Sequence, residues 1–520
     1  MPRKSSAKAS SIITGLLFAA YAFLLFFKVT EIPVAFNVDE AGAAYDAYSL
    51  ANYFCDRYLY RFPVYFINFG GGQNALYTYL TAVLIKLFGY SILIVRLPAI
   101  LLGLLSMLIS MIVVRKEHGS TASVINAFFF CILPFSIMHA RWGLESYLLF
   151  PMLILSLSAF YHALRSAKGK WFVFSGILFG ITLYSYTVSY LLLPLFLVLF
   201  SAYLLFCRKV SLKHLLYAAI PLLLAAIPLL LMLAVNSGYI EEIKTPFFSV
   251  PRFPLYRAGE VNFRNILQNL KLTEYNFFYN LFVNDHCVYN IIPKFGSLYY
   301  PSIPLLVYGL ILCFRKSISE VRQKRYSFDL LMVLFFFVVL FVGLMFERMN
   351  ANRGCAVYIP LIYFLTIGFL EILKKSKPAA AILSVVFLGL FLSFCKYYFT
   401  DFANDIRGDS MFASVRDIEN AQVFAESLDT DETIYVLDSV QPYIFTLLSK
   451  GISPYEFDEQ KVLSNDYFVK ILGRYRFRLD AVMPECIYIV NNQYPPDGIE
   501  SYGFAARQFG SVTVYYPPAE

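Results

Sequence analysis

"NALYTYLTAVLIKLFGY", residues 74–90, is the segment on which the topology of this chain turns. It is apolar but short, interrupted by Lys86 and closed by Gly89. As a membrane crossing it would reverse the side on which every later loop falls. As an interfacial helix, one apolar face resting on the membrane surface, it leaves them in place. The flanking sequence decides between the two.

That sequence is greasy throughout. Of 520 residues, 59% are hydrophobic, and the mean hydropathy is +0.61. Runs such as "LLLPLFLVLFSAYLLF" and "LLMVLFFFVVLFVGLMF" approach the roughly 20 apolar residues that span hydrocarbon. They are continuous rather than alternating, which predicts helices and not the strands of a barrel. Eleven spans are predicted, at about 11–28, 91–114, 120–139, 146–164, 171–187, 189–206, 213–235, 300–314, 327–346, 355–373 and 379–399.

Charge sets the orientation. Basic residues cluster at Arg3 and Lys4, at Arg115 and Lys116, at Arg165, Lys168 and Lys170, and at Arg208, Lys209 and Lys213. They recur in "RKSISEVRQKR" (315–325) and "KKSK" (374–377). With a cytoplasmic N-terminus, eleven crossings put every cluster inside, as the positive-inside rule requires. A crossing by 74–90 would move each downstream cluster through "KKSK" outside, so that segment is read as an interfacial helix.

These loops also account for the net charge of +8, which therefore does not call for nucleic acid. "MPRKSSAKAS" reads as the basic flank of a retained signal anchor, without a cleavage pattern before the first apolar run. The eight Cys form no CxxC and no His/Cys ligand spacing, so neither a zinc site nor a disulfide framework is predicted.

The predicted organisation is an all-α polytopic membrane domain, 1–399, with external loops 29–90 and 236–299, and an external tail, 400–520. In the tail, "SMFASVRDIENAQVFAESL" predicts an amphipathic helix, and "TIYVLDS", "CIYIVNNQ" and "SVTVYYP" predict strands. A small extracytoplasmic α/β domain follows.

Three charged groups gather on the predicted outer face. Asp39 and Glu40 follow the first span and precede a short helical stretch, 41–52. An N-cap at Asn37 or Asp39, with Glu40 favoured by the helix dipole, explains them as well as chemistry does. In "HARWGLES" (139–146), Arg141 and Glu145 stand i, i+4 and on a helix would share a face; a surface ion pair is the plain alternative. In "ERMNANRG" (347–354), Arg348 and Arg353 lie outside against the positive-inside bias. They either snorkel to headgroups or bind an anion, for which the guanidinium fork suits phosphate oxygens. The loop "EYNFFYNLFVNDHCVYNIIPKFGSLYYP" (274–301) adds an aromatic belt and His286, a candidate acid, base or ligand.

Carboxylates and arginines at a membrane boundary have the parts for sugar transfer from a lipid phosphate. A carboxylate takes the acceptor hydroxyl's proton, and cations stabilise the departing phosphate. The rival class is a transporter or lipid flippase. Transporters carry ionisable groups near the midplane, whereas the centres of 11–28, 120–138 and 189–206 have none. That argues against ion coupling but leaves a passive scramblase open, and a scaffold for envelope assembly would leave the outer charges unexplained.

The order of these elements resembles the GT-C glycosyltransferases. The acidic pair is followed by "RFPVYFINFGGGQNALYTYLTAVLIKLFG" and "VRLPAILLG", as in bacterial relatives of the protein O-mannosyltransferases and in lipid A aminoarabinose transferases. "LPFSIMHARWGLES" is similar to their "P, then SR-x-G-x-E" segment, and "MNANRGCAVYIPLIYF" to their "N-x-x-R, then P" element. The resemblance covers about 30–370. It departs at Ala140, where those families have Ser, and the long loop matches none of their motifs. It implies a bacterial cell-membrane enzyme with a polyprenyl-phosphate-sugar donor, an external site and inversion at the anomeric carbon. Asp39 would be the base beside Glu40, Arg141 and Glu145 would organise the site, and Arg353 would hold the lipid phosphate. The acceptor, an envelope lipid, glycan or protein, is not identified. Metal dependence stays open, because Asp39 and Glu40 offer donors for a divalent cation while the arginines already meet the phosphate.

Overall fold

Away from water, an apolar segment pairs its backbone N–H and C=O groups most simply within a helix, and the chain follows that rule. The structure, a computed structural model, describes residues 2–33, 35–255, 262, 264–271, 278–284, 286–287, 289–346, 349–407, 409–428, 432–464 and 467–518. Among the described residues eight helices are long and apolar enough to cross a membrane: Lys8–Phe26, Ile92–His118, Glu145–Ser166, Ser189–Phe206, Leu212–Asn236, Ser302–Arg322, Ala351–Lys375 and Lys377–Thr400. Three shorter apolar helices, Ser120–Ile132, Gly169–Leu183 and Phe328–Gly343, fall on the remaining predicted spans. The first of these stops at Leu133 because Pro134, which has no N–H, opens a new helix, Pro134–His139. Residues 74–90 form the helix Ala75–Phe88. Its 14 residues reach about 21 Å, short of the ~30 Å hydrocarbon core. Tyr77, Thr78, Thr81 and Ile85 are buried, while Val83, Leu87 and Phe88 are exposed.

Two compact units make up the chain. One comprises Met1–Phe27, Arg96–Leu229 and Arg257–Tyr397; the other comprises Lys28–Val95, Leu230–Tyr256 and Tyr398–Glu520.

The first unit is a helical bundle. A tight seam joins Ser302–Arg322 to Tyr358–Lys375, where small residues let the two backbones approach. A Cβ on Gly309 would lie 1.8 Å from the Phe364 carbonyl oxygen, and one on Gly368 would lie 2.1 Å from that of Leu305. A polar knot ties four helices of the bundle. Asp329 pairs with Lys316 and accepts from the Tyr363 hydroxyl at 2.8 Å, and that hydroxyl lies 2.7 Å from His118 Nε2.

The second unit is built on a mixed seven-stranded sheet. Its order is Ala505–Phe509, Val512–Tyr516, Ile487–Asn491, Ile434–Leu437, Tyr475–Arg476, Val469–Leu472 and Lys461–Leu463. Ile434–Leu437 runs parallel to both neighbours, and the other pairings are antiparallel. The first-loop helix Val38–Tyr53 shares this unit's core. Val38, Ala41, Ala44 and Tyr45, spaced to share one helical face, pack with Ile434, Val436, Ile444 and Leu447. Phe36–Asn37 pairs antiparallel with Phe412–Ala413, and the Tyr45 hydroxyl donates to the Ile452 carbonyl at 2.7 Å.

Asp56 and Asp438 are among the carboxyl groups buried here. Asp56 closes a turn by accepting from the Tyr58 and Tyr60 amides, both at 2.9 Å. Burial first, then the nearby Asp46 carboxylate, push its pKa up to about 8, against the opposing pull of those amides and of Arg57. Burial likewise pushes Asp438, just beyond Ile434–Leu437, up to about 7.

Two outcomes are expected. Gly309→Ala and Gly368→Ala should each lower thermal stability, by about 1–3 kcal/mol as overpacking usually does, whereas Gly389→Ala, with open space around it, should not. Comparing melting midpoints in one detergent checks this, and equal midpoints would show that the seam yields freely. The second outcome concerns pH. Asp56 and Asp438 hold their protons more tightly folded than unfolded, where carboxyls titrate near about 4. Their contribution is thus complete below about pH 4 and is lost as pH rises through about 7 to 8. Asp56→Asn keeps an acceptor for both amides and should flatten that decline in midpoint with pH; an unchanged slope would exclude Asp56 as a source.

Candidate active site

Asp39 sits in the first turn of Val38–Tyr53. Asn37, extended at φ −69° and ψ 150°, caps this helix by accepting the Asp39 amide at 2.9 Å. The carboxyl groups of Asp39 and Glu40 are thus not needed as caps. Asp39 is half-buried and Glu40 fully buried, so of the pair Asp39 offers the accessible surface. The helix start is further held by the Val38 amide, which donates to the Met411 carbonyl at 2.9 Å.

A hairpin reaches Asp39 from the side. Tyr65–Asn68 and Gly71–Asn74 pair across Phe69 and Gly70, both at positive φ (48° and 79°), as the tight two-residue turn demands. This sets Asn68 Nδ2 to donate to Asp39 Oδ1 at 3.0 Å, and Gln73 Nε2 to the Asp39 carbonyl at 3.4 Å. Behind Asn68 lies Arg57, fully buried. Its Nε and Nη2 grip Asp46 Oδ1 and Oδ2 at 3.0 and 2.7 Å, and Nη2 also meets the Gly42 carbonyl at 2.6 Å. Sequence reading passed over Arg57, Asp46 and Asn68. The signal available was Asp46, seven residues after Asp39 and so on the same face of the helix.

Arg141, Glu145, Arg353 and His286 belong to the other unit. Arg141 is fully buried and closes the C-terminal end of Pro2–Phe26. Its Nη1 donates to the Leu25 carbonyl at 3.0 Å and to that of Leu24, and Nη2 donates to Phe27 at 2.9 Å. These are carbonyls that a helix end leaves without partners. The helical i, i+4 relation expected for Arg141 and Glu145 does not hold. The helix ends at His139, residues 140–144 are irregular, and half-buried Glu145 opens the turn Glu145–Leu148. Nearby, Arg96 stacks over the buried Trp142 ring at 5.3 Å.

Arg353 is half-buried in the short helix Ala351–Gly354, where Asn350 Oδ1 accepts its amide at 2.9 Å. Its guanidinium lies over the Phe346 ring at 5.7 Å. His286 is exposed, at φ 63°, and its amide donates to Asn284 Oδ1 at 2.9 Å. Arg348 lies outside the described residues. Among the described residues no three His, Cys, Asp or Glu side chains gather as a metal site would need.

Comparison with known proteins bears on both sequence and fold. A family model for dolichyl-phosphate-mannose-protein mannosyltransferase matches residues 74–234. No curated protein matches the chain. Among solved structures, ArnT from Cupriavidus metallidurans bound to undecaprenyl phosphate superposes with a TM-score of 0.54 at 13% identity, over 97% of this chain and 99% of that one. Its apo state gives 0.53 at 14% identity, over the same shares. The Archaeoglobus fulgidus oligosaccharyltransferase in complex with Zn and sulfate gives 0.46 at 12% identity, over 84% of this chain and 61% of that one. Over residues 74–234 the chain is therefore similar in sequence to the dolichyl-phosphate-mannose-protein mannosyltransferase family, and its fold is similar along its length to that of ArnT.

Proposed function

We propose that this protein is an integral membrane glycosyltransferase of GT-C type. It moves a sugar from a polyprenyl-phosphate donor to an extracytoplasmic acceptor hydroxyl, with inversion. The observation that carries the reading is Asp39, a half-buried carboxylate at a helix start that accepts from Asn68 Nδ2. A base must present an ionised oxygen within reach of the proton it takes, and an amide donor on the other side favours that ionised form. The family match over 74–234 supports a lipid-phosphate sugar, as does the undecaprenyl phosphate bound to ArnT.

The chemistry runs as one displacement. The acceptor oxygen attacks the anomeric carbon from the face opposite the phosphate, its proton passes to Asp39, and the carbon–oxygen bond to phosphate breaks. Polyprenyl phosphate departs with the bonding electrons. Arg353, with Arg348 as a second donor, stabilises the charge on the leaving phosphate. Glu40 keeps the helix start acidic. Arg141 acts through the end of the first helix, whose carbonyls it holds, and Glu145 organises the neighbouring turn.

In this reading the eight long helices and the three shorter ones make eleven crossings, with a cytoplasmic N-terminus in a bacterial cell membrane. Ala75–Phe88 lies along the outer interface, its exposed Val83, Leu87 and Phe88 toward lipid. Residues 1–399 form the transmembrane catalytic part and 400–520 the extracytoplasmic module.

The test is transfer of label from a panel of polyprenyl-phosphate sugars to total envelope acceptor, by purified protein in lipid nanodiscs. Asp39→Asn should fold normally and lose at least ~10²-fold in rate, the usual scale of general-base effects. Near-normal transfer by that variant would take the base role from Asp39.

A further inference from the structure

We infer that Asn68 and Arg57 are positioning residues for Asp39, and that Tyr443 of the C-terminal module completes the arrangement. This rests on the glycosyltransferase reading for its consequence, but not for its geometry.

The polarity of the chain of contacts is fixed from one end. Arg57 has only donors to offer. Its Nη2 lies 3.3 Å from the Asn68 side chain, so the atom turned toward it is Oδ1. The other end of that planar amide is then Nδ2, which meets Asp39 Oδ1 at 3.0 Å. A flipped Asn68 would set donor against donor at Arg57 and acceptor against acceptor at Asp39. Arg57 therefore determines that Asp39 receives a hydrogen bond, which favours its ionised form.

Arg57 is itself over-determined. Besides both oxygens of Asp46 and the Gly42 carbonyl, its Nη1 donates to the Tyr443 hydroxyl at 3.2 Å. Tyr443, in Pro442–Lys450, is buried, with its ring stacked on Phe457 at 5.9 Å and edge-on to Phe69 at 6.1 Å. Phe69 is the residue directly after Asn68, so the tail grips the hairpin tip and the guanidinium together.

Gly42 shows how closely the arrangement is fitted to the helix that carries Asp39. A Cβ there would stand 2.4 Å from Asn68 Oδ1 and 2.9 Å from Arg57 Nη2. Asp39, Gly42 and Asp46 are spaced i, i+3 and i+7, on one face. One helical stripe thus holds the carboxylate, the gap that admits its neighbours, and the anchor for the arginine.

A purely structural Arg57–Asp46 pair would stabilise the loop without touching the protonation of Asp39, and that difference is measurable without a substrate. Full-length protein in nanodiscs is treated with a hydrophobic carbodiimide, which adds to protonated carboxyls. Labelling of Asp39 is then read by peptide mass spectrometry across pH. Asn68→Leu removes the donor, so Asp39 should protonate more readily and its midpoint should rise by about one pH unit. Tyr443→Phe keeps the ring and should move the midpoint the same way by less. Sugar transfer by Asn68→Leu should fall about tenfold or more, with its acid limb displaced upward alongside the labelling midpoint.

An unchanged midpoint in folded Asn68→Leu overturns the inference, whatever the transfer rate does. A shifted midpoint with full transfer overturns the catalytic consequence. If Asp39→Asn also transfers normally, the base role of Asp39 falls, while the contact between Asn68 and Asp39 stands. Should Asn68→Leu fail to fold, Asn68→Ala withdraws the same donor without adding bulk, and the same two outcomes decide.

Discussion

Every carbonyl that a helix leaves unpaired at its end must find a donor, and at the edge of a membrane water is not freely there to supply it. Much of the first unit follows from that constraint. Apolar runs become helices because nothing else satisfies their backbone. Where Pro2–Phe26 ends, Arg141 brings its guanidinium to Leu24, Leu25 and Phe27. Where Phe328–Gly343 begins, Ser327 accepts the Leu330 amide and Asp329 adds charge to the first turn. Arg141 and Asp329 thus serve the ends of helices.

The same economy operates at Asp39. The cap is provided by Asn37, which leaves the carboxylate of Asp39 for Asn68. The Asp46–Arg57 pair has almost no solvent exposure, and two charges brought that far from water need hydrogen bonds on every remaining donor and acceptor. Gly42, Asn68 and Tyr443 supply them, drawing the first-loop helix, the hairpin and the tail together.

What the sequence made legible was governed by range. Continuous apolar runs disclosed the helices because a helix is a local structure, although the span predicted at 120–139 falls on two, Ser120–Ile132 and Pro134–His139. The break at Pro134, inside the span predicted at 120–139, and its effect on the spacing of Arg141 and Glu145 were not legible, since that spacing depends on where the chain resumes after His139. In the tail, the strands Ile434–Leu437, Ile487–Asn491 and Val512–Tyr516 showed in their β-branched and aromatic runs. Lys461–Leu463, Val469–Leu472 and Tyr475–Arg476 did not, being short and resting on their neighbours for register. Asp39 was singled out by charge in an apolar setting. Arg57 and Tyr443 went unseen because they meet across 386 residues, and no local pattern encodes such a meeting.

The pairing of Phe36–Asn37 with Phe412–Ala413 sets a schedule for making the protein. Synthesis proceeds from the N-terminus at about 5–20 residues per second, so the first loop waits for its partner on the order of tens of seconds. During that interval Phe36, Val38, Ala41, Ala44 and Tyr45 have been made but the residues that bury them have not. The bundle can assemble helix by helix as it emerges, whereas the unit that carries Asp39 closes only when the last part of the chain arrives. A ribosome that stops early therefore leaves the helix that carries Asp39 without the residues that bury its apolar face.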